Sequence, residues 1–316
     1  MLGKTAGGLL WMFRYLERAE NLARLVETGQ RIALTRPDTD DASEWASVLE
    51  SASARAGYDA HHDAVTGEGV SDWLLRHKEN PSSVMACLDQ ARSNAKLVRT
   101  ALTREVWEGV NEAWMTACTA LQRRVPPRDL PRVVGAIRNR SAFVRGTLHG
   151  TMLRNDSYDF ARLGTFLERA DATARLLDVK YYVLLPSAAG VGSRLDNAQW
   201  EVILRGVSAE NAFRIVHGQA RGPEQIAHFL ILDGRMPRSL AFCYSKVRNN
   251  LDWLHKAYGG EKPECLEMAE TMRAKLGACT SIDPIFEEGL HEFLQDFRAR
   301  NNALSRQVET DYRFYA

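Results

Sequence analysis

YLERAENLARL, Tyr15–Leu25, and FLERADATARL, Phe166–Leu176, are nearly the same eleven residues, and each carries Glu-Arg at the same place. On a helical wheel centred on Glu168, Arg175 falls about 20° away, Asp171 about 60° and Arg169 about 100°. Apolar residues fill the rest: Phe166, Leu167, Leu163, Ala170 and Leu177 lie on the far side, and Ala161, Ala172 and Leu176 lie close to the glutamate. Glu17 is flanked in the same way by Leu10, Phe13 and Leu25. A helix that is apolar nearly all round is a buried one. Two buried central helices are therefore expected, each with a carboxylate–guanidinium cluster: Glu17, Arg18, Glu20 and Arg24 in one, Glu168, Arg169, Asp171 and Arg175 in the other.

The likeness extends outward. WASVLESASARAGYDAHH, from Trp45, aligns with WEVILRGVSAENAFRIVH, from Trp200, and ends on His62 over His217. PSSVMACLDQARSNAKL, from Pro81, aligns with PRSLAFCYSKVRNNLDW, from Pro237. This block sets Arg92 and Asn94 over Arg248 and Asn250, a further Arg and amide in each half. The offsets of the three blocks are 151, 155 and 156 residues. Collinear blocks at near-constant spacing point to a tandem repeat. The reading is one domain, 1–316, made of pseudo-repeats 1–150 and 151–316 that share a core.

Between these motifs run segments rich in Ala, Leu, Arg and Glu, with Pro and Gly at their borders and no strand-like alternation. Helices are predicted over roughly 8–34, 43–57, 69–78, 82–105, 107–124, 129–153, 157–185, 196–205, 208–217, 223–232, 238–258, 263–277 and 283–313. Asn155, Asp156 and Ser157 suit the turn and cap that open the second central helix. AAGVGS, 188–193, reads as a connecting loop. The fold class is all-α, a helical bundle.

Lys and Arg number 41 against 40 Asp and Glu, a net charge of +1. That balance argues against a nucleic-acid binder. No apolar run approaches the length of a membrane span, and no secretory leader is read at the start, so the expected location is cytoplasmic with no membrane partner. Five widely spaced cysteines without a CxxC fit reduced thiols. Phosphate loops, dinucleotide fingerprints, HExxH and GxSxG are missing, so no cofactor is expected. The di-metal bundle pattern ExxH is replaced by Glu-Arg, and arginine is no metal ligand. His62 and His217 meeting near a pseudo-twofold axis is the one arrangement that would take a metal; the expectation is none.

GLLWMFRYLERAENLARL, NPSSVMACLDQARSNAKLVR, WEGVN, GTMLRNDSYDFARLGTFLERADATARLLDVKYY and FLILDGRMPRSLAFC together resemble the Alpha-E family, an all-helical bacterial domain named for its Glu-Arg motif. The resemblance spans essentially the full length. It carries the motif onto Glu17-Arg18 and Glu168-Arg169, and Ser93 stands where the family's AREN stretch has glutamate. It also implies a setting: members accompany circularly permuted ATP-grasp ligases, transglutaminase-like proteins and sometimes a proteasome-like peptidase. An ATP-grasp-type ligase and a transglutaminase-like protein are thus the implied partners, in a system that makes or modifies peptides through amide bonds.

Two functions are compatible with these residues. One is an accessory binding module whose spare Arg donors hold a carboxylate- or phosphate-bearing ligand or the partner. The other is an enzyme of the same amide chemistry, with Glu17 or Glu168 as a general base tuned by burial. The charge clusters could equally be a structural lock between the central helices, Arg forking onto Glu. Four Arg face four acids there, so Arg92 and Arg248 are the residues expected to tip the cleft positive.

Overall fold

The computed structural model of the protein describes residues 1–34, 41–183, 194–218 and 222–315. Fifteen α-helices and no strand occur among the described residues. The first half runs through α1 (Gly3–Leu34), α2 (Asp41–Ser51), α3 (Arg55–Asp59), α4 (Gly67–Leu75), α5 (Val84–Leu97), α6 (Arg104–Ala120) and α7 (Leu130–Thr151). The second runs through α8 (Asp156–Val183), α9 (Arg194–Gly206), α10 (Glu210–His217), α11 (Pro223–Ile231), α12 (Leu240–Tyr258) and α13 (Glu264–Ala278), then α14 (Asp283–Glu288) and α15 (Leu290–Asp311). The all-α class holds. No described helix is long and apolar enough to cross a membrane.

Three predicted helices are broken. The segment 43–57 is interrupted at Ser53, whose φ is +51°. The segment 283–313 is interrupted at Gly289, φ +106°, a conformation that glycine adopts without the Cβ penalty. The segment 82–105 ends at Val98 in a short 3₁₀ turn, and the following helix starts early because the Thr103 hydroxyl caps it by accepting from Val106 N–H. Asn155 opens α8 as expected, its Oδ1 accepting from Tyr158 N–H at 3.3 Å. The loop read at 188–193 lies outside the described residues.

α1 and α8 are the central pair and make the most extensive helix–helix contact among the described residues. At Gly164 the α8 backbone lies directly against α1: an added Cβ would clash with the Leu10 carbonyl oxygen. The apolar core is divided in two. One part gathers Met12, Phe13, Leu16, Tyr58, Trp73 and Val134 with the helices of the first half. The other gathers Leu10, Phe160, Leu167, Phe213, Tyr244 and Phe297 with those of the second. The two Glu-Arg motifs face each other between them.

Candidate functional site

Glu17 on α1 is 1% exposed. Arg169 of α8 forks onto it, Nε and Nη2 each donating at 2.9 Å. Glu168 on α8 is held reciprocally by Arg18 of α1, at 2.6 and 2.9 Å. Each motif's glutamate therefore takes the other motif's arginine, and the Glu-Arg pair never closes on itself. Bidentate charge-assisted bonds of this kind fix orientation as well as energy.

Further guanidiniums complete the cluster. Glu17 also accepts from Arg145 of α7 at 3.3 Å and from Arg238, just before α12, at 3.2 Å. Glu20, fully buried, accepts from Arg24, Arg145 and Arg238. Glu168 accepts a third bond from Arg14, 3.0 Å, whose Nη1 donates to Ser305 on α15. Asp171 pairs with Arg175, and Arg298 of α15 approaches it to 3.7 Å. The outer arginines cross over as well. Arg24 donates to Ser208 at 2.8 Å and Arg175 donates to Ser53. These two serines are the matching left-handed residues, φ +56° and +51°, that follow α9 and α2.

The electrostatics follow from this crowding. Burial alone would raise the Glu17 carboxyl, but Arg169, Arg238 and Arg145 outweigh it and hold the group well below the usual carboxylate range. Glu20 and Glu168 are held low in the same way, against burial, by their own guanidiniums. Arg238 is pushed down to about 10, first by burial, with Arg169 and Arg24 adding repulsion. Seven arginines (14, 18, 24, 145, 169, 175 and 238) thus bond four carboxylates, a positive surplus of three.

The surplus does not come from the residues expected to supply it. Arg92 donates to Asn111 Oδ1 at 2.8 Å and lies over the Trp114 ring. Arg248 pairs with Asp252 and Glu270. Asn94 and Asn250 do not bridge elements either; each side-chain amide donates to the carbonyl four residues earlier on its own helix. That bond answers the mid-helix asparagine locally. The missing cations are Arg14, Arg145 and Arg238. Arg14 was legible, being three residues from Glu17 and on its face of α1. Arg238 stands opposite Ser82 in the repeated Pro-Ser block, a departure that the alignment displays. Arg145 carries no local signal, since its role depends on α7 lying against α1.

A cavity of about 240 Å³ opens beside the cluster. Arg18, Arg24, Arg175 and Arg238 line it, with Glu168 and Asp171 as the acids on its wall. Three lining atoms are buried without a hydrogen-bond partner: Ser51 Oγ, Asp171 Oδ1, and Asn21 Nδ2, whose Oδ1 accepts from Arg238. His62 and His217 are not part of this site. His62 stacks on Tyr58 and His217 on Phe213, each in its own half. Among the described residues no group of three or more His, Cys, Asp or Glu side chains is placed to hold a metal. All five cysteines are free thiols. Burial pushes Cys87 and Cys243 up to about 12, so neither is a thiolate nucleophile at neutral pH.

The profile of the Alpha-E family, "a predicted alpha-helical domain with a conserved ER motif", matches residues 1–312. The chain belongs to the Alpha-E family. Its ER motifs are Glu17-Arg18 and Glu168-Arg169, the residues that exchange partners at the centre of the fold. An uncharacterised protein of Mycobacterium bovis and two of Mycobacterium tuberculosis strains are similar to it, each 24% identical over 330 aligned positions. The alignment covers 96% of this chain and 36% of each relative, so the chain spans just over a third of their length. No solved structure matches the chain.

Proposed function

We propose that this Alpha-E domain is an accessory binding module of a peptide-forming or peptide-modifying system, and that its ligand is a carboxylate- or phosphate-bearing group received in the cavity between the ER helices. One observation carries the reading. Four guanidiniums line a single cavity whose acids, Glu168 and Asp171, already accept from arginine. An anionic group would relieve the repulsion that weighs on Arg238 and supply acceptors for the unpaired Asn21 and Ser51 groups. At about 240 Å³ the cavity approaches the small end of ligand pockets, roughly 300 Å³. It suits an amino-acid residue or one phosphate group better than a whole nucleotide.

A general-base role for Glu17 or Glu168 is less well supported. Both oxygens of each carboxylate accept from guanidinium, and both groups are held too acidic to take a proton near neutral pH. We also read the chain as two tandem repeats, 1–150 and 151–316, within one domain. The shared helix order, the crossed ER pairs and the matched Arg24–Ser208 and Arg175–Ser53 bonds support this. The resemblance to ligase-associated members makes an ATP-grasp-type ligase the partner to test, with a transglutaminase-like protein next. The mycobacterial relatives carry much further chain beside the matching region, an arrangement that suits a module acting with another domain.

Calorimetric titration with glutamate, short acidic peptides and ATP, at low and moderate salt, tests the ligand. Binding of an acidic peptide or glutamate is expected, weakened about tenfold by Arg175→Gln, as loss of a charge-assisted bond predicts. Absence of binding by all three would leave the cluster as a lock between helices. Co-purification with an ATP-grasp-type ligase, with and without ATP, tests the partner.

A further inference from the structure

Arg162 stands on α8 nearly two turns before the second ER motif, partly buried and without an ion-paired carboxylate among the described residues. Among the described residues it makes one hydrogen bond, Nη1 donating to the Tyr158 hydroxyl at 3.0 Å. Its Nε is buried and unpaired. The Tyr158 and Phe166 rings stabilise the charge, at 5.4 and 5.0 Å from the guanidinium carbon, and Asp159, one turn earlier on α8, attracts it without forming an ion pair. A cavity of about 130 Å³ lies against it, between α7 and α8. Arg145, Arg169 and His149 are on the same wall, and no acidic residue lines it.

The donors have room for a ligand. Arg145 spends only Nη1 on Glu17 and Glu20, leaving Nε and Nη2 without a hydrogen-bond partner among the described residues. Arg169 commits all three of its nitrogens to Glu17 and the Pro237 carbonyl, three of its five N–H groups, so it contributes mainly charge. His149 Nδ1 is engaged with the Tyr158 hydroxyl at 2.7 Å. A cavity with three guanidiniums, no acid and an orphaned buried donor is incomplete as a structural packing, since buried donors are normally paired. We infer that this α7–α8 cavity is a second anion site, built for a single phosphate group, with Arg162 and Arg145 as its hydrogen-bond donors. Phosphate fits better than carboxylate because its charge and its tetrahedral oxygens answer donors arriving from both helices.

His149 reports on the site. Its imidazole is pushed down to about 4, first by burial and then by Arg162, Arg154, Arg145 and Arg169 around it. A bound anion would offset that field, and the imidazole midpoint would climb.

Calorimetry with inorganic phosphate, and in parallel with acetate, would be run on the full chain and on Arg162→Gln. Arg162 forms no ion pair, so the substitution breaks no salt bridge and removes only a longer-range attraction for Asp159, and circular dichroism would verify the fold. NMR would follow the His149 ring through its titration with and without phosphate. The expected result is phosphate binding weakened about tenfold or more in Arg162→Gln, with the His149 midpoint raised by about one pH unit. Acetate binding as tightly as phosphate would overturn the phosphate assignment. Phosphate binding that ignores Arg162→Gln and leaves His149 unmoved would place the anion elsewhere, such as in the ER cavity, and overturn the site. Absence of phosphate binding would overturn it as well.

Discussion

Glu17 accepts from Arg169, Arg145 and Arg238, and no water-facing route remains to it. Replacing its carboxylate by an amide turns one acceptor into an NH₂ donor aimed at guanidinium donors. Glu17→Gln is therefore expected to destabilise the protein by about 3–5 kcal/mol, the usual cost of breaking a buried ion pair; urea denaturation measures it. An unchanged midpoint would mean that the cluster rearranges freely. The acid side of the pH profile follows from the same residues. Glu17, Glu20 and Glu168 are held below the ordinary glutamate value of 4.5, so their stabilisation is complete above that pH and drains away below it. Asp159 runs the other way. Burial raises it to about 6 from 3.8, opposed by Arg162 and helped by Asp156, so the folded state carries an unfavourable charge above pH 6. Asp159→Asn should raise the melting temperature at pH 7, and the gain should vanish below about pH 3.8.

At the scale of helices, the α1–α8 crossing depends on one small residue. Gly164→Ala would drive a Cβ into the Leu10 carbonyl oxygen, and a backbone atom cannot swing aside as a side chain can. Forcing the two helices apart should cost about 1–3 kcal/mol; thermal melts of the variant check this, and a neutral outcome would show that the pair slides. Helix identity was readable from apolar periodicity, and so was the burial of α1 and α8, because a helix apolar all round has no face to give to solvent. The breaks at Ser53 and Gly289 were not readable. Nothing in the local composition at Ser53 requires a positive φ; the chain adopts it where α2 must turn back, beside Arg175.

Across the whole molecule, the two apolar cores meet through charges whose partners come in large part from the opposite half. A fragment of residues 1–153 would expose Glu17 and Glu20 without Arg169 and Arg238, and would leave Arg18 without Glu168. It is expected to fail to fold as a stable monomer, judged by far-UV circular dichroism and by the absence of a cooperative melt. A cooperatively folded fragment would show that each half stands alone. Periodicity and the duplicated ER stretches were enough for the helical class, the two buried central helices and the polar identity of the site, since all three depend on spacing along one chain. Partner choice depended on folding. Arg18 lies beside Glu17 in sequence yet points about 100° away on the helix, so its carboxylate has to come from another element. Arg145 and Arg238 reach Glu17 from elements more than a hundred residues distant, brought there by the packing of the two cores. The positive surplus, and the cavities that it lines, exist only once those elements are in place.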